Sequence, residues 1–164
     1  MLNLQGFKRF FSCFKTHEIK THEVILHNIN YNETIAFVPP ITNGYVIKVY
    51  DGDTITIAAK LPYPESPLYR FQVRLYGIDC PEIKGKTPEE KELAQQAKRV
   101  VEELVLHKHV ILKNCQTEKY GRILANVYTT SNIHVNDYLL EKNLAYVYDG
   151  KTKKEWSFPI LNIM

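Results

Sequence analysis

Apolar and polar residues alternate in short runs from about residue 43 onward, and a period of two predicts β-strands. The runs lie at residues 46–50, 54–59, 71–78, 109–115, 122–128 and 144–148. An Asp-Gly pair separates the first two runs, and that dipeptide is typical of a β-hairpin turn. The pattern therefore predicts a hairpin at the start of a small domain that is mainly β.

Two segments have helical spacing instead. Apolar residues recur every three to four positions between residues 88 and 106, and Thr87, Pro88 and Glu90 form a helix start with a capping box. A shorter helix is predicted at residues 135–142. The order β-β-β-α-β-β-α predicts an α+β fold that is mainly a β barrel, namely a five-stranded Greek-key OB-fold barrel with two to three helices.

The amino-acid composition indicates the domain limits, the folded state and the cellular environment of the chain. A change near Pro39 and Pro40 separates a partly irregular leader, residues 1–43, from a domain at residues 44–164 with a shortened C-terminal tail. A hydrophobic content of 45% fits a folded domain, and a formal net charge of +3 means that any attraction for polyanions must be local. With no evident signal peptide and three widely spaced cysteines, we expect an intracellular monomer with reduced thiols.

Carboxylates follow or precede the apolar runs at two places. Asp51 and Asp53 lie beside the predicted hairpin turn, and Asp79 and Glu82 follow the third run. Asp53 has the strand parity of the inward residues after it, and a carboxylate there needs a cation or hydrogen-bond donors. Oxygen ligands without a His or Cys cluster favour calcium or magnesium over zinc. The alternative is that Asp51 and Asp53 only shape the hairpin.

Two arginines accompany these carboxylates. Arg74 has the opposite parity from its apolar neighbours and is expected outside the core, whereas Arg122 opens a strand after Gly121. A guanidinium group binds phosphate oxygens in pairs, and Glu82 is placed to orient or deprotonate a water molecule. The alternative is that both arginines are ordinary surface charges and that Glu82 is a solvated loop residue. Removal of either arginine is expected to leave the fold intact.

These residues occur in an ordered set. The motifs are Asp51-Gly52-Asp53-Thr54, Arg74, Gly77-Ile78-Asp79-Cys80-Pro81-Glu82 and Lys119-Tyr120-Gly121-Arg122. Over about residues 44–148 they resemble the staphylococcal nuclease (thermonuclease) family. The resemblance implies an OB-fold nuclease that hydrolyses DNA or RNA with calcium, by in-line attack of water, and leaves 3′-phosphate ends.

The resemblance also implies individual roles. Asp53, Asp79 and the main-chain carbonyl of Cys80 would bind calcium, with Asp51 and Thr54 as supporting residues. Arg74 and Arg122 would bind phosphate, and Glu82 would act on the water. Lys119, Tyr120, Tyr146 and Tyr148 would line the nucleotide pocket, although such tyrosines are often packed rings with one solvated edge.

Three departures from the family pattern stand out. Cys80 replaces a threonine, which matters little if only its carbonyl binds the metal. The loop between Glu82 and the predicted helix is short. After Tyr148 only residues 151–156 have the character of a helical turn, so the long C-terminal helix of the family is much reduced, and stability is affected more than chemistry.

The leader has a pattern of its own. Phe7, Phe10, Phe11 and Phe14 recur at helical spacing among basic residues, and Cys13 is a candidate acylation site. Residues 1–20 therefore fit an amphipathic helix on an anionic membrane, a targeting segment, or a helix docked on the barrel.

Two other function classes remain open beside the nuclease. One is a catalytically silent OB-fold module that binds nucleic acid or protein. Such a module would lack at least one of four residues, all of which are present: Asp53, Arg74, Glu82 and Arg122. A structural interaction domain would recruit its partners through the leader.

Overall fold

A computed structural model describes residues 28–118, 120–151 and 156, and it divides the chain into two compact units, Met1–Ile35 and Ala36–Met164. The proposed leader helix and Lys119 lie outside the described residues. In the first unit the described residues form one short 3-10 helix, Tyr31–Glu33. No helix among the described residues is long and apolar enough to cross a bilayer.

The second unit begins several residues before the expected boundary at residue 44. The side chain of Ile41 is buried, and its carbonyl accepts a hydrogen bond from the Cys115 thiol at 3.7 Å. The Phe37 carbonyl accepts one from the Thr117 hydroxyl at 2.7 Å. These contacts join residues 37–41 to the domain.

The described residues form seven strands and two α-helices. The strands are β1 (Asn43–Val49), β2 (Thr54–Ala59), β3 (Tyr69–Leu75), β4 (Ile78–Asp79), β5 (His109–Thr117), β6 (Ile123–Thr129) and β7 (Tyr146–Val147), and the helices are α1 (Pro88–Val105) and α2 (Val135–Glu141). Five strands close a barrel in the order β1-β2-β3-β6-β5, with β3 and β6 parallel. The predicted OB-fold barrel with helices is confirmed.

Side chains that point inward at every second residue fill the interior of the barrel. In β6 the side chains of Ile123, Ala125 and Val127 point inward and are buried, while the residues between them are partly exposed. In β1 the side chains of Val46 and Val49 are buried between exposed residues, and β2 is buried along almost its whole length. Burial of these branched side chains, worth roughly 1.5–3 kcal/mol each, gives the rigid support on which the polar residues at the barrel rim are held.

The prediction of one continuous strand at residues 71–78 is wrong. β3 ends at Leu75, and Gly77 adopts a φ of +75°, a left-handed conformation that glycine accepts without strain. The chain then turns away from the barrel, and β4 pairs with β7 in a separate two-stranded sheet. The 144–148 strand is correspondingly short, and β6 starts one residue after Arg122.

Helix α1 starts where the sequence predicts, but its cap differs in detail. The Thr87 hydroxyl accepts the Glu90 N–H at 3.1 Å, as expected of an N-cap. The Glu90 carboxylate accepts the N–H of Lys86 at 2.9 Å, which is one residue before the cap. The capping box is therefore displaced by one residue.

Candidate active site

Arg74 is the centre of a buried ionic cluster at the rim of the barrel. Its Nη1 lies 2.7 Å from Asp53 Oδ2, and its Nη2 lies 2.9 Å from Asp79 Oδ1. Nη2 also donates to the Ile78 carbonyl at 3.3 Å. Arg74 is 9% exposed, so this arginine is buried although it points away from the barrel interior.

Strand pairing explains how residues distant in sequence meet here. Thr54 pairs with Arg74 across β2 and β3, and the Asp53 carbonyl accepts the Leu75 N–H at 2.8 Å, which places Asp53 beside Arg74. Asp79 reaches the same guanidinium because the turn at Gly77 folds β4 back over the end of β3. The register and the turn, rather than barrel curvature alone, bring the three residues together.

Short hydrogen bonds orient Asp53. Its Oδ1 accepts the Thr54 hydroxyl at 2.9 Å, and its Oδ2 accepts the Cys80 N–H at 3.4 Å. Its own N–H donates to Asp51 Oδ1 at 3.2 Å. Asp51 and Thr54 thus take supporting positions, and the Asp53 carboxylate is fixed toward Arg74.

The charges in this cluster act on one another strongly. Burial, followed by the negative charge of Asp53 and a smaller effect of Glu82, raises the pKa of Asp51 to about 7. Burial by itself lowers the pKa of Arg74, but the charges of Asp53, Asp79 and Glu118 outweigh it, and that pKa is raised. Arg74 therefore stays charged amid several carboxylates.

The Cys80 thiol is buried beside the ionic cluster. Its side chain is 3% exposed, and burial together with neighbouring carboxylates raises the pKa of its thiol well above the ordinary value. Because a neutral thiol is a poor ligand for a hard cation, only the main-chain carbonyl of Cys80 suits calcium. A Cβ on Gly52 would come within 2.8 Å of Cys80 Sγ and of Ala97 Cβ, so close packing demands glycine there.

Arg122 is held differently, on the connection between β5 and β6. Its Nε lies 2.6 Å from Glu118 Oε2, and its Nη2 lies 2.8 Å from Glu118 Oε1, a bidentate pair. Both side chains are about one-fifth exposed. The Tyr120 ring centroid lies 5.9 Å from Arg122 Cζ.

A cleft of about 460 Å³ extends from Arg74 to Glu118, the partner of Arg122. Its lining includes Arg74, Glu118 and Tyr148, together with Gln116 and Thr117 from the end of β5. The Tyr148 ring centroid lies 5.9 Å from Arg74 Cζ. The cleft is thus a space of mixed polar and apolar lining with the Arg74 guanidinium at its wall, large enough for part of a ligand.

Comparison with known proteins decides the family. The family model described as staphylococcal nuclease homologue matches residues 72–159, which is more than half of the chain. The chain belongs to the staphylococcal nuclease homologue family. The matched region contains Arg74, Asp79, Glu82 and Arg122.

Several curated relatives are similar to this member of the family. An uncharacterized endonuclease of Escherichia coli is 30% identical over 107 residues, 65% of this chain and 61% of the relative. A probable endonuclease of Schizosaccharomyces pombe is 30% identical over 139 residues, 68% of this chain and 60% of the relative. An uncharacterized endonuclease of Haemophilus influenzae is 30% identical over 103 residues. The chain thus spans about three-fifths of the length of the first two.

The other site residues implied by the resemblance differ in exposure and in their contacts in this staphylococcal nuclease homologue. Glu82 and Tyr120 are exposed, and Tyr148 lines the cleft. Tyr146 stacks on Trp156, with ring centroids 4.0 Å apart and planes at 18°. Lys119 lies outside the described residues. Sequence reasoning missed Trp156 because its stack on Tyr146 forms only when the chain after β7 folds back, and no local sequence pattern predicts that fold.

Asn136 is a second residue that sequence reasoning missed. It is 2% exposed; its Oδ1 accepts the Val127 N–H at 3.0 Å, and its Nδ2 donates to the Tyr76 carbonyl at 2.9 Å. These bonds tie α2 to β6 and to the turn that leads to Asp79. The signal available in the sequence was a polar residue between the apolar positions of a short helix.

The donor set bears on the metal that the family implies. Among the described residues, no group of three or more His, Cys, Asp or Glu side chains is arranged to hold a metal ion. Asp53 and Asp79 do converge, since each has an oxygen within 2.9 Å of a nitrogen of the same guanidinium. Two carboxylates suit a cation that takes carbonyl and water oxygens for its other ligands, as calcium does.

Proposed function

We propose that this protein is a calcium-dependent nuclease that hydrolyses phosphodiester bonds of DNA or RNA by in-line attack of water and leaves 3′-phosphate ends. The observation that carries the proposal is the convergence of Asp53 and Asp79 on Arg74, at the wall of a cleft that is also lined by Glu118, the partner of Arg122. The endonuclease names of the relatives support the same class of reaction.

In the proposed site, Asp53, Asp79 and the Cys80 carbonyl hold the calcium ion. All three supply hard oxygen donors, and the Thr54 hydroxyl and Asp51 keep Asp53 oriented. The chemistry that such an ion would supply there is polarisation of a phosphate oxygen and ionisation of a nearby water molecule.

The two arginines bind the scissile phosphate. Negative charge accumulates on the phosphate oxygens in the transition state, and preorganised guanidinium groups stabilise it with no reorganisation at the moment of reaction. Arg74 is rigidly held by two carboxylates and a carbonyl, and Arg122 is held by one carboxylate. A well-placed arginine of this kind contributes about 10³–10⁵ to the rate.

Glu82 receives the proton of the attacking water. It lies on an exposed loop three residues after Asp79, within the stretch that carries the metal ligands, and it contributes negative charge at Asp51. An exposed carboxylate exchanges protons with solvent rapidly, so the residue is regenerated after each turnover.

A digestion assay tests the proposal. The full-length protein is incubated with single-stranded DNA and single-stranded RNA in calcium, in magnesium and in chelator, and the ends of the products are tested with a phosphatase. Cleavage in calcium with phosphatase-sensitive 3′ ends is expected. Glu82→Gln, prepared in the same way, should be much slower, which excludes a contaminating nuclease. Absence of cleavage in calcium would overturn the proposal and favour the silent binding module.

A further inference from the structure

The barrel strands have an unusual charge distribution. None of the five barrel strands, all of them within the described residues, contains an aspartate or a glutamate. They do contain Lys48, Arg70, Arg74 and Lys113. Among the described residues of the second unit, the acids therefore lie outside the barrel strands, and Lys48, Arg70 and Lys113 give those strands a positive bias that the small net charge of the chain conceals.

On one side of the barrel, across β1, β5 and β6, outward residues form a continuous surface that we call the outer stripe. Its members are Tyr45, Lys48, His109, Ile111, Lys113 and Tyr128. Strand register makes them neighbours, because Tyr45 pairs with His109 and Ile111 pairs with Tyr128. His109, Ile111 and Lys113 alternate with buried residues along β5 and so share one face.

Large apolar groups are exposed in the stripe. Tyr45 is 37% exposed and Ile111 is 39% exposed, which leaves ring and aliphatic surface in contact with solvent. The rings of Tyr45 and His109 are in edge contact, with centroids 5.3 Å apart. A ring held by two neighbouring histidines and still 37% exposed offers part of its surface to a base, as a stacking platform does.

The cations of the stripe are held beside these groups. Lys113 Nζ lies 4.2 Å from the centroid of the Tyr128 ring, whose other contact is a parallel stack with His134 at 4.4 Å. His134 is in turn paired with Asp137 at 2.6 Å, so we do not count it among the cations. At the other end, the exposed Lys48 follows Tyr45 by three residues on β1.

The stripe is continuous with the cleft through β5. Gln116 and Thr117 at the end of this strand line the cleft, while His109, Ile111 and Lys113 belong to the stripe. The strand from His109 to Thr117 would span roughly 26 Å at about 3.3 Å per residue if fully extended, and the irregular register between Lys113 and Gln116, with Asn114 at φ +53°, shortens it. A single chain of nucleotides leaving the cleft along β5 would therefore pass over the stripe.

We propose that the outer stripe binds a single-stranded segment of nucleic acid, with bases stacked on Tyr45 and His109 and phosphates beside Lys48 and Lys113. A single strand is favoured over a duplex because stacking on protein side chains needs unpaired, accessible base faces. The proposal deepens the proposed function, since the same strand would be cut in the cleft.

Charge complementarity favours a single strand of nucleic acid on the outer stripe over the leader of this chain or a second copy of it. The leader carries Lys8, Arg9 and Lys15 and no acid before Glu18, so its charge has the same sign as that of the stripe. A second copy of the chain would bring the same positive stripe to an isologous contact. Like charges disfavour both contacts, whereas a phosphate chain neutralises the lysines and releases counterions.

Binding in chelator tests the stripe without cleavage. The full-length protein is titrated against fluorescent oligothymidylate and oligouridylate of about 4 and about 16 nucleotides, the range of OB-fold site sizes. Tyr45→Ala should weaken binding of the long oligonucleotides about five- to hundredfold, and Tyr45→Phe should preserve it. Lys113→Ala should lower the slope of log affinity against log salt by about 0.7, while Lys91→Ala on α1 leaves the slope unchanged.

The outcomes separate the stripe from the nuclease. If Tyr45→Ala and Lys113→Ala, shown to be folded by circular dichroism, bind both lengths as the wild type does, the stripe proposal is wrong whether or not the protein cleaves. If the variants change the sedimentation coefficient of the protein alone, the surface is a contact between copies and the proposal is again wrong. Length-dependent binding through the stripe without cleavage in calcium would preserve the stripe and overturn the proposed function.

Discussion

Arg74 lines the cleft and Arg122 is paired with Glu118 at its edge, but the two arginines belong to different kinds of structure. Arg74 lies on a barrel strand, is 9% exposed, and is fixed by Asp53, Asp79 and the Ile78 carbonyl. Arg122 lies on a connection between two strands and is fixed by the carboxylate of Glu118, with both side chains about one-fifth exposed. One arginine therefore supports the fold as well as the site, whereas the other can be changed with little structural consequence.

The largest expected difference concerns alanine substitutions. Arg74→Ala leaves two buried carboxylates without their cation, so we expect a loss of about 3–5 kcal/mol in the free energy of unfolding together with a rate loss of about 10³–10⁵. Arg122→Ala should lose a similar factor in rate but less than about 1 kcal/mol in stability. The sequence-based expectation of an intact fold is thus kept for Arg122 and abandoned for Arg74.

Urea unfolding and initial rates measure both quantities. Arg99→Ala, which removes an exposed arginine paired with Glu92 on α1, is the control and should change neither. Equal loss of stability in the Arg74 and Arg122 variants would show that the two regions do not differ as described.

Lysine substitutions sharpen the same comparison. Arg74 uses separate nitrogens for Asp53 and Asp79, and an ammonium group on a flexible stem reproduces neither the spacing nor the plane. Arg74→Lys should therefore lose stability and nearly as much rate as Arg74→Ala. Arg122→Lys should lose rate and keep its stability. Retention of most of the wild-type initial rate by Arg74→Lys would contradict the role assigned to the guanidinium.

The loop before β2 offers a change that disturbs only the Arg74 region. Gly52→Ala would place a Cβ 2.8 Å from Cys80 Sγ and from Ala97 Cβ, neither of which is the end of a flexible chain. Overpacking there should cost about 1–3 kcal/mol in stability and displace Asp53. Gly121→Ala on the Arg122 connection, which has φ +78° and no atom within 4 Å, tests strain without a clash. A neutral Gly52→Ala would contradict the packing described.

The smallest effect concerns Glu118. Its carboxylate occupies the Nε and Nη2 edge of Arg122, which is the edge a phosphate would use. Removing the charge in Glu118→Gln should tighten the binding of inorganic phosphate about two- to fivefold, the value of a partly exposed ion pair. Isothermal titration measures the affinity, with Glu92→Gln on α1 as the control. Weaker binding in Glu118→Gln would mean that Glu118 orients Arg122 for the ligand.

The contrast between the two arginines also shows which features of the fold and the site could be predicted from the sequence. The strands, both helices and the barrel follow from local periodicity, which is set by the side-chain geometry of strands and helices. Asp53, Arg74 and Asp79 were singled out because their motif combines charge with glycine and proline. The expected strand 71–78 was wrong at Gly77, where one left-handed residue redirects the chain and breaks the period.

Other features depended on contacts between distant segments. Glu118 was assigned no role from the sequence, because a glutamate four residues before an arginine is common and only the folded connection makes the pair bidentate. The burial of Arg74 could not be read from strand parity, since Asp79 covers it only after the chain has left the barrel. Asn136 and Trp156 acquire their partners in the same way, from α2 and from the chain after β7.

The most direct test of the central claim, that Asp53 and Asp79 hold a catalytic calcium ion beside Arg74, is a calcium titration of initial cleavage rates. The loss of a residue that only supports a metal ligand costs about 10- to 100-fold in metal affinity, and the loss of a ligand should cost at least as much. Asp53→Ala should therefore raise the calcium concentration for half-maximal rate by at least about tenfold. Glu82→Gln should lower the rate and leave that concentration unchanged. An unchanged calcium requirement in Asp53→Ala would contradict the account.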